Sequence, residues 1–169
     1  LIGCEFANDL ACASHQVAVI DPLAWPLGRL LPEQAGLALR TGLADAGVEW
    51  HLQQQVEQVQ HEYERVRVTL GNGESWLTDV VLSAVGLQPD TTLAAKAGLK
   101  TDKGIVVDAT LQTSASGIYA LGDCCELNGQ LLPYIAPILH CAKVIAKALT
   151  GEGATLALPA MPVVVKTPA

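Results

Sequence analysis

The run Val80-Val81-Leu82-Ser83-Ala84 limits the fold most, because it is nearly all apolar where a strand wetted on one face would alternate. Such a run has to be buried on both faces, as in a parallel sheet covered by helices. The chain before it supplies the other parts. Leu1, Ile2, Phe6, Leu10 and Ala13 fall at helical spacing, and Ser14-His15-Gln16 then breaks into the apolar run Val17-Ala18-Val19-Ile20. Leu30, Leu37, Leu39 and Leu43 mark a second helix, opening near Pro32-Glu33 and reaching about Ala46, where Gly47 stops it. Val48 to Leu52 reads as another strand, and Val56 to Gln60 as an extended segment. Val66, Val68 and Leu70 alternate with Arg67 and Thr69, and Gly71-Asn72-Gly73 turns the chain into Glu74 to Thr78. The expected class is α/β: a Rossmann-like parallel sheet with a β-meander over one face.

In Val85-Gly86-Leu87-Gln88-Pro89-Asp90, Gly86 permits a tight bend and Pro89 prevents regular continuation, which predicts a domain crossing near Leu87 to Thr91. Leu93 to Ala97 predicts a short helix ended by Gly98, and Ile105 to Asp108 a strand. Ile118, Ala120 and Leu121 read as a short buried strand running into Gly122-Asp123. Glu126 to Gln130 reads as a polar turn around Asn128-Gly129, followed by an apolar helix from about Ala136 to Leu149 that Gly151 ends. The tail from Leu158 to Pro168 reads as a strand framed by prolines. The expected domains are 1–87, 88–152 and 153–169, the last opening a further domain.

Half of the 169 residues are apolar, enough for a substantial core. The formal charge of −7 disfavours nucleic acid and anionic membrane surfaces as partners. No apolar run reaches membrane-spanning length, and a cytoplasmic location is expected. The five cysteines, Cys4, Cys12, Cys124, Cys125 and Cys141, make no C-x-x-C spacing, so free thiols, most of them buried, are expected rather than a redox pair or metal site. His15, His51 and His61 read as surface positions, and neither they nor His140 is a credible catalytic base.

Two places invite a nucleotide. Gly122 lets backbone approach a ligand, and Asp123 follows at a strand's carboxyl end, where ligands of open α/β sheets lie and a carboxylate meets a ribose or ribityl hydroxyl. Alone, Gly-Asp is more often an ordinary turn. Asp21 ends a strand where a Rossmann acid takes adenosine ribose hydroxyls, with Gly3 as the candidate third glycine of G-x-G-x-x-G. Asp21 could merely cap the loop around Pro22, but an acid at 21 repels a 2′-phosphate and favours NADH over NADPH. Glu5 in the first helical turn suits the helix dipole with no ligand at all. The amino end of the helix at Ile135 offers unpaired N–H groups that suit an electron-rich ring edge or phosphate.

The string Thr113 to Cys124 closely resembles the second FAD motif of the pyridine nucleotide-disulfide oxidoreductase superfamily, and Leu1 to Ala7 followed by Val17 to Asp21 looks like its NAD fingerprint. Within it, Gly122-Asp123-Cys124, Leu131-Leu132-Pro133 and Met161 to Pro168 look most like the bacterial rubredoxin–NAD reductases, a likeness that spans essentially the whole chain. That resemblance implies FAD and NAD as cofactors, with 1–87 in the NAD domain, 88–152 the returning part of the FAD domain and 153–169 the start of the C-terminal domain. It implies FAD contacts at Glu5, Gly122, Asp123, Ile135 and Lys166, and NAD contacts at Gly3, Glu5, Asp21 and Gly86. No acid–base residue is required. Electrons are expected to pass from NADH through flavin to rubredoxin or a similar small iron carrier.

The chain is also expected to be a piece of a longer protein, lacking the first FAD-binding half and the first two glycines of the NAD turn. By itself it is expected to bind FAD weakly or not at all and to be inactive. Other readings are another NADH-dependent flavoprotein reductase or NADH oxidase of the same superfamily, or a nucleotide-binding or docking module without turnover.

Overall fold

A computed structural model describes residues 1–160, 162 and 164–167. The chain divides into two compact units, Leu1–Val85 with Val164–Ala169, and Gly86–Val163.

In the first unit, helix α1 (Ile2–Cys12) leads into strand β1 (Val17–Asp21), and helix α2 (Glu33–Asp45) into β2 (Val48–Leu52). β1 and β2 pair in parallel, from Val17 opposite Val48 to Asp21 opposite Leu52. α1 buries Cys4, Ala7, Asn8 and Ala11, spaced three and four apart, while Ile2, Phe6 and Leu10 face outward. The large apolar residues that mark the helix in the sequence are therefore not its core face. Small residues take that face because they let the helix lie close to the strands, where they join Leu27, Leu43 and Val48 in one cluster.

Strands β3 (Val56–Glu62), β4 (Arg65–Leu70) and β5 (Ser75–Thr78) form the expected antiparallel meander, with Val68 and Leu70 fully buried. His51 is half-buried rather than a surface residue, its ring stacked on Trp76 with centroids 4.8 Å apart, which ties β2 to β5. Val80–Ala84 forms no strand, contrary to expectation, and Val80, Val81 and Leu82 are exposed. A strand needs a neighbour for its N–H and C=O groups, and among the described residues none pairs with this run.

The second unit opens with the short helix α3 (Thr92–Lys96). β6 (Ile105–Val107) pairs in parallel with β7 (Cys125–Leu127), which turns back through Asn128 and Gly129 into β8 (Gln130–Leu131). The polar turn read from the sequence is thus the tip of a hairpin, with φ of 50° and 76° at its two residues, the left-handed pair that a tight hairpin favours. Ile118 and Leu121 are exposed and form no strand; the region makes a single bridge, Gln112 to Tyr119. Helix α4 (Ile135–Leu149) packs Cys141 and Val144 on Val107, Leu111 and Cys125.

Glu126 is buried, and its Oε2 accepts a 2.8 Å hydrogen bond from the Gly104 N–H, which satisfies one lone pair of a carboxylate taken out of water. A Cβ on residue 104 would stand 2.6 Å from the Cys124 carbonyl oxygen. The strand expected across Leu158–Pro168 includes Met161, Val163 and Pro168, which lie outside the described residues, and the others there form no strand. Among the described residues no helix is long and apolar enough to cross a membrane.

α1 ends with the His15 N–H on the Leu10 carbonyl at 3.0 Å and the Ser14 N–H on that of Ala11 at 2.9 Å, which leaves Ser14 at φ 66°. This is a Schellman closure with serine where glycine is favoured. Ser14→Gly is expected to raise stability by about 0.5–1 kcal/mol by removing the left-handed Cβ penalty, read as a higher urea midpoint at unchanged slope.

Candidate functional site

Each unit brings some of the candidate residues together. In the first, Gly3 lies in the opening turn of α1, where an added Cβ would be 3.2 Å from the Ala84 Cβ. A close approach of this kind is compatible with the packing expected of the third glycine in a dinucleotide turn. Glu5 follows half a turn on, and its Oε1 accepts a 3.1 Å hydrogen bond from the backbone N–H of Lys166. Two residues far apart in sequence therefore meet, although through the main chain of Lys166 and not its ammonium group, which is exposed.

Asp21 is half-buried at the carboxyl end of β1. Its Oδ1 accepts from the Leu23 N–H at 2.8 Å, and its carbonyl accepts from the Gln54 N–H at 3.3 Å. The carboxylate does cap the loop at Pro22, yet it does so with one oxygen, so capping and ligand binding are compatible. Among the described residues, that is the one hydrogen bond drawn to the carboxylate, so Oδ2 is the oxygen left for an outside hydroxyl.

In the second unit, Gly122 has φ 89°, a conformation costly for any residue with a Cβ, and its side-chain position opens onto empty space. Asp123 follows in a cleft of about 190 Å³, whose walls include Leu87, Pro89, Asp90, Cys124, Leu131 and Pro133. A glycine that turns the chain and leaves room beside a carboxylate fits the approach of a polyhydroxyl chain. The cleft is mixed in character, apolar on its walls with Asp90 and Asp123 as the acids.

Asp90 is a wall residue that the sequence reading missed. The Thr92 hydroxyl and N–H together hold its carboxyl below the usual aspartate range, the N–H bond being 2.9 Å long. The available signal was the Asp-x-Thr spacing, which commonly makes such a turn. Gly86, φ 95°, also belongs to this unit and has open space where a Cβ would be.

Ile135 is the first residue of α4 and is exposed; the preceding Tyr134 gives no side-chain cap. Pro137, two residues on, has no N–H, so the amides of Ile135 and Ala136 are the donors this helix start can offer.

All five cysteines are free: Cys4, Cys125 and Cys141 are buried, Cys124 is half-buried beside Asp123 and Cys12 is exposed. Among the described residues there is no group of three or more His, Cys, Asp or Glu that could hold a metal ion. Burial pushes the Cys125 thiol up to about 12, with the neighbouring Cys141, Cys124 and Glu126 adding to it. Burial likewise raises Cys4 and Cys141. At pH 8 Cys125 is then held almost entirely as the unreactive thiol. Iodoacetamide is expected to label Cys12 in the folded chain and to reach Cys125 and Cys141 only after denaturation, which peptide mass spectrometry would read directly.

A profile of the pyridine nucleotide-disulphide oxidoreductase family matches residues 1–149. The chain is 49% identical over 171 residues to a rubredoxin-NAD(+) reductase of Acinetobacter baylyi, covering 100% of the chain and 44% of that protein. It is 44% identical over 168 residues to a nitric oxide reductase FlRd-NAD(+) reductase of Aliivibrio fischeri, covering 99% and 44%. Among solved structures, a ferredoxin reductase from Rhodopseudomonas palustris superposes with a TM-score of 0.86 at 28% identity, over 92% of this chain and 40% of the other. Putidaredoxin reductase, in its covalent complex with putidaredoxin, gives 0.83 at 29% identity, over 95% and 40%. The chain therefore spans less than half the length of these relatives.

Proposed function

The chain belongs to the pyridine nucleotide-disulphide oxidoreductase family, and from that membership we propose that it works in an FAD-dependent reductase that passes electrons from NADH to rubredoxin or a similar small iron carrier. The observation that carries the reading is the corner at Gly122-Asp123, where a left-handed glycine delivers a carboxylate into an open cleft. Identity to rubredoxin-NAD(+) reductases over the full chain supports the choice of acceptor.

In this reading 1–87 belongs to the NAD-binding domain, 88–152 to the FAD-binding domain and 153–169 to the start of a C-terminal domain. When bound, FAD would supply the redox chemistry that couples a two-electron nicotinamide to a one-electron carrier. The chain's own residues orient and tune. Asp123 accepts from ribityl hydroxyls, Gly122 gives the backbone its close approach, and the Ile135 N–H donates to the flavin ring. Asp21 accepts from the adenosine ribose and repels a 2′-phosphate, which selects NADH.

Gly3 keeps α1 close enough for its amino end to face the pyrophosphate, and Gly86 leaves room for the nicotinamide half. Glu5 is a polar contact to both cofactors, oriented by the Lys166 N–H. The Lys166 ammonium is a cation that favours the reduced, anionic ring. No side chain has to move a proton. The compartment in this reading is the cytoplasm.

Stopped-flow absorbance on the FAD-loaded protein of the relatives' full length tests it. Rapid bleaching by NADH, slow bleaching by NADPH and then reduction of oxidised rubredoxin is the expected sequence. Transfer to oxygen or another carrier alone would replace the acceptor. Absence of bound flavin would leave a nucleotide-binding module. Asp123→Ala is expected to weaken FAD binding about tenfold or more, the loss of charge-assisted hydrogen bonds, measured by flavin retained after dialysis.

A further inference from the structure

Asp21 sits at the start of a long connection to α2, and a carboxylate on a slack loop would not hold one geometry. Among the described residues the carboxylate takes one hydrogen bond, from the Leu23 N–H, so the orientation of the Asp21 side chain is only as fixed as the loop that carries that N–H. The near end of that loop is stitched to the chain after β2: the Gln53 N–H donates to the Leu23 carbonyl at 3.1 Å, and the Gln54 N–H to the Asp21 carbonyl at 3.3 Å.

The far end is closed by Trp25. Its Nε1 donates to the Leu31 carbonyl at 3.2 Å, while the N–H groups of Leu30 and Leu31 both reach the Leu27 carbonyl at 2.7 and 2.8 Å. Pro26 and Leu27, which follow it, are buried. The indole lies directly over Gly36 in α2: a Cβ at 36 would collide with the indole Cδ1 and stand 2.9 Å from the Pro26 carbonyl oxygen. Gly28 also lies against the ring, its Cβ position being 3.2 Å from Nε1 and 3.3 Å from the Leu23 Cδ1. The loop is thus wrapped around one aromatic ring, and the missing side chain at 36 is what lets the ring seat.

We propose that Trp25, seated on Gly36, is a positioning residue that fixes Asp21 for the ribose of a pyridine nucleotide's adenosine half. Fixing one oxygen on Leu23 holds the other toward the ribose diol and toward the place a 2′-phosphate would occupy, so the lock contributes both to affinity for NADH and to rejection of NADPH. This deepens, and rests on, the assignment of Asp21 to the ribose.

The test compares NADH with reduced nicotinamide mononucleotide, which carries the same reactive ring and no adenosine, in the FAD-loaded protein of the relatives' full length. Trp25→Leu and Gly36→Ala are each expected to raise the KM for NADH about tenfold, a loss of the size of one charged hydrogen bond. The KM for the mononucleotide and both kcat values should stay within about twofold. Trp25→Phe, which keeps a ring over Gly36, should recover most of the loss and serves if Gly36→Ala does not fold. NADPH should gain on NADH in the same order. A general weakening of the fold would instead move both substrates together, and that outcome overturns the proposal.

Asp21→Asn separates the two ideas. If it shifts the NADH-to-mononucleotide ratio while the Trp25 and Gly36 variants do not, the positioning role is wrong and the ribose assignment stands. If it leaves the ratio unchanged, the ribose assignment fails and the positioning role fails with it.

Discussion

Cys4, Ala7 and Ala11, with Asn8 beside them, keep the buried face of α1 free of large apolar side chains, and the close packing this permits sets the rest of the first unit. A two-stranded parallel pair cannot bury itself, so β1 and β2 depend on a helix near enough to exclude water from their face. Gly3 extends the same surface to Ala84. A bulkier residue at any of these positions would lift the helix and, with it, the amino end where Gly3 and Glu5 lie. Packing and the geometry of the candidate site are here one constraint, because the helix start that carries Gly3 and Glu5 is held by the residues that fill the core.

The two candidate carboxylates are prepared in different ways. Asp21 spends one oxygen on the backbone of its own loop and so is oriented before any ligand arrives. Asp123 has its direction set by the left-handed turn at Gly122 instead. A carboxylate tied down at one oxygen loses little freedom on binding, whereas one aimed only by its backbone can adjust to a longer, flexible polyol.

Much of this was legible in the residues. Helix–strand order through Leu52, the meander around Asn72-Gly73 and the helix from Ile135 all follow from periodicity and from glycine and proline punctuation. The α/β class and the family followed as well. Val80–Ala84 was misread because an apolar run announces burial on both faces but not whether a pairing strand stands beside it. α1 was found by its large residues while burying its small ones, since periodicity locates a stripe without saying which stripe faces inward. The hairpin arms around Asn128-Gly129 are too short to show an alternating pattern. Asp21, Gly122 and Asp123 could be singled out because an acid after a strand or a glycine has a known geometry. Trp25 on Gly36 could not, for the two are eleven positions apart and nothing local links a tryptophan to the glycine that makes room for it.

Gly104 and Glu126 show what such a long-range fit means over evolutionary time. The amide of one is held by the carboxylate of the other, and no side chain fits at 104 without striking the Cys124 carbonyl. A substitution at 126 leaves the buried Gly104 N–H short of its acceptor, and one at 104 forces the hairpin aside; that hairpin carries Cys124 and Leu131 to the wall of the Asp123 cleft. The two sites should therefore drift as a pair or stay still together, so that a glycine with no ligand of its own becomes as slow to change as the residues that line the cleft.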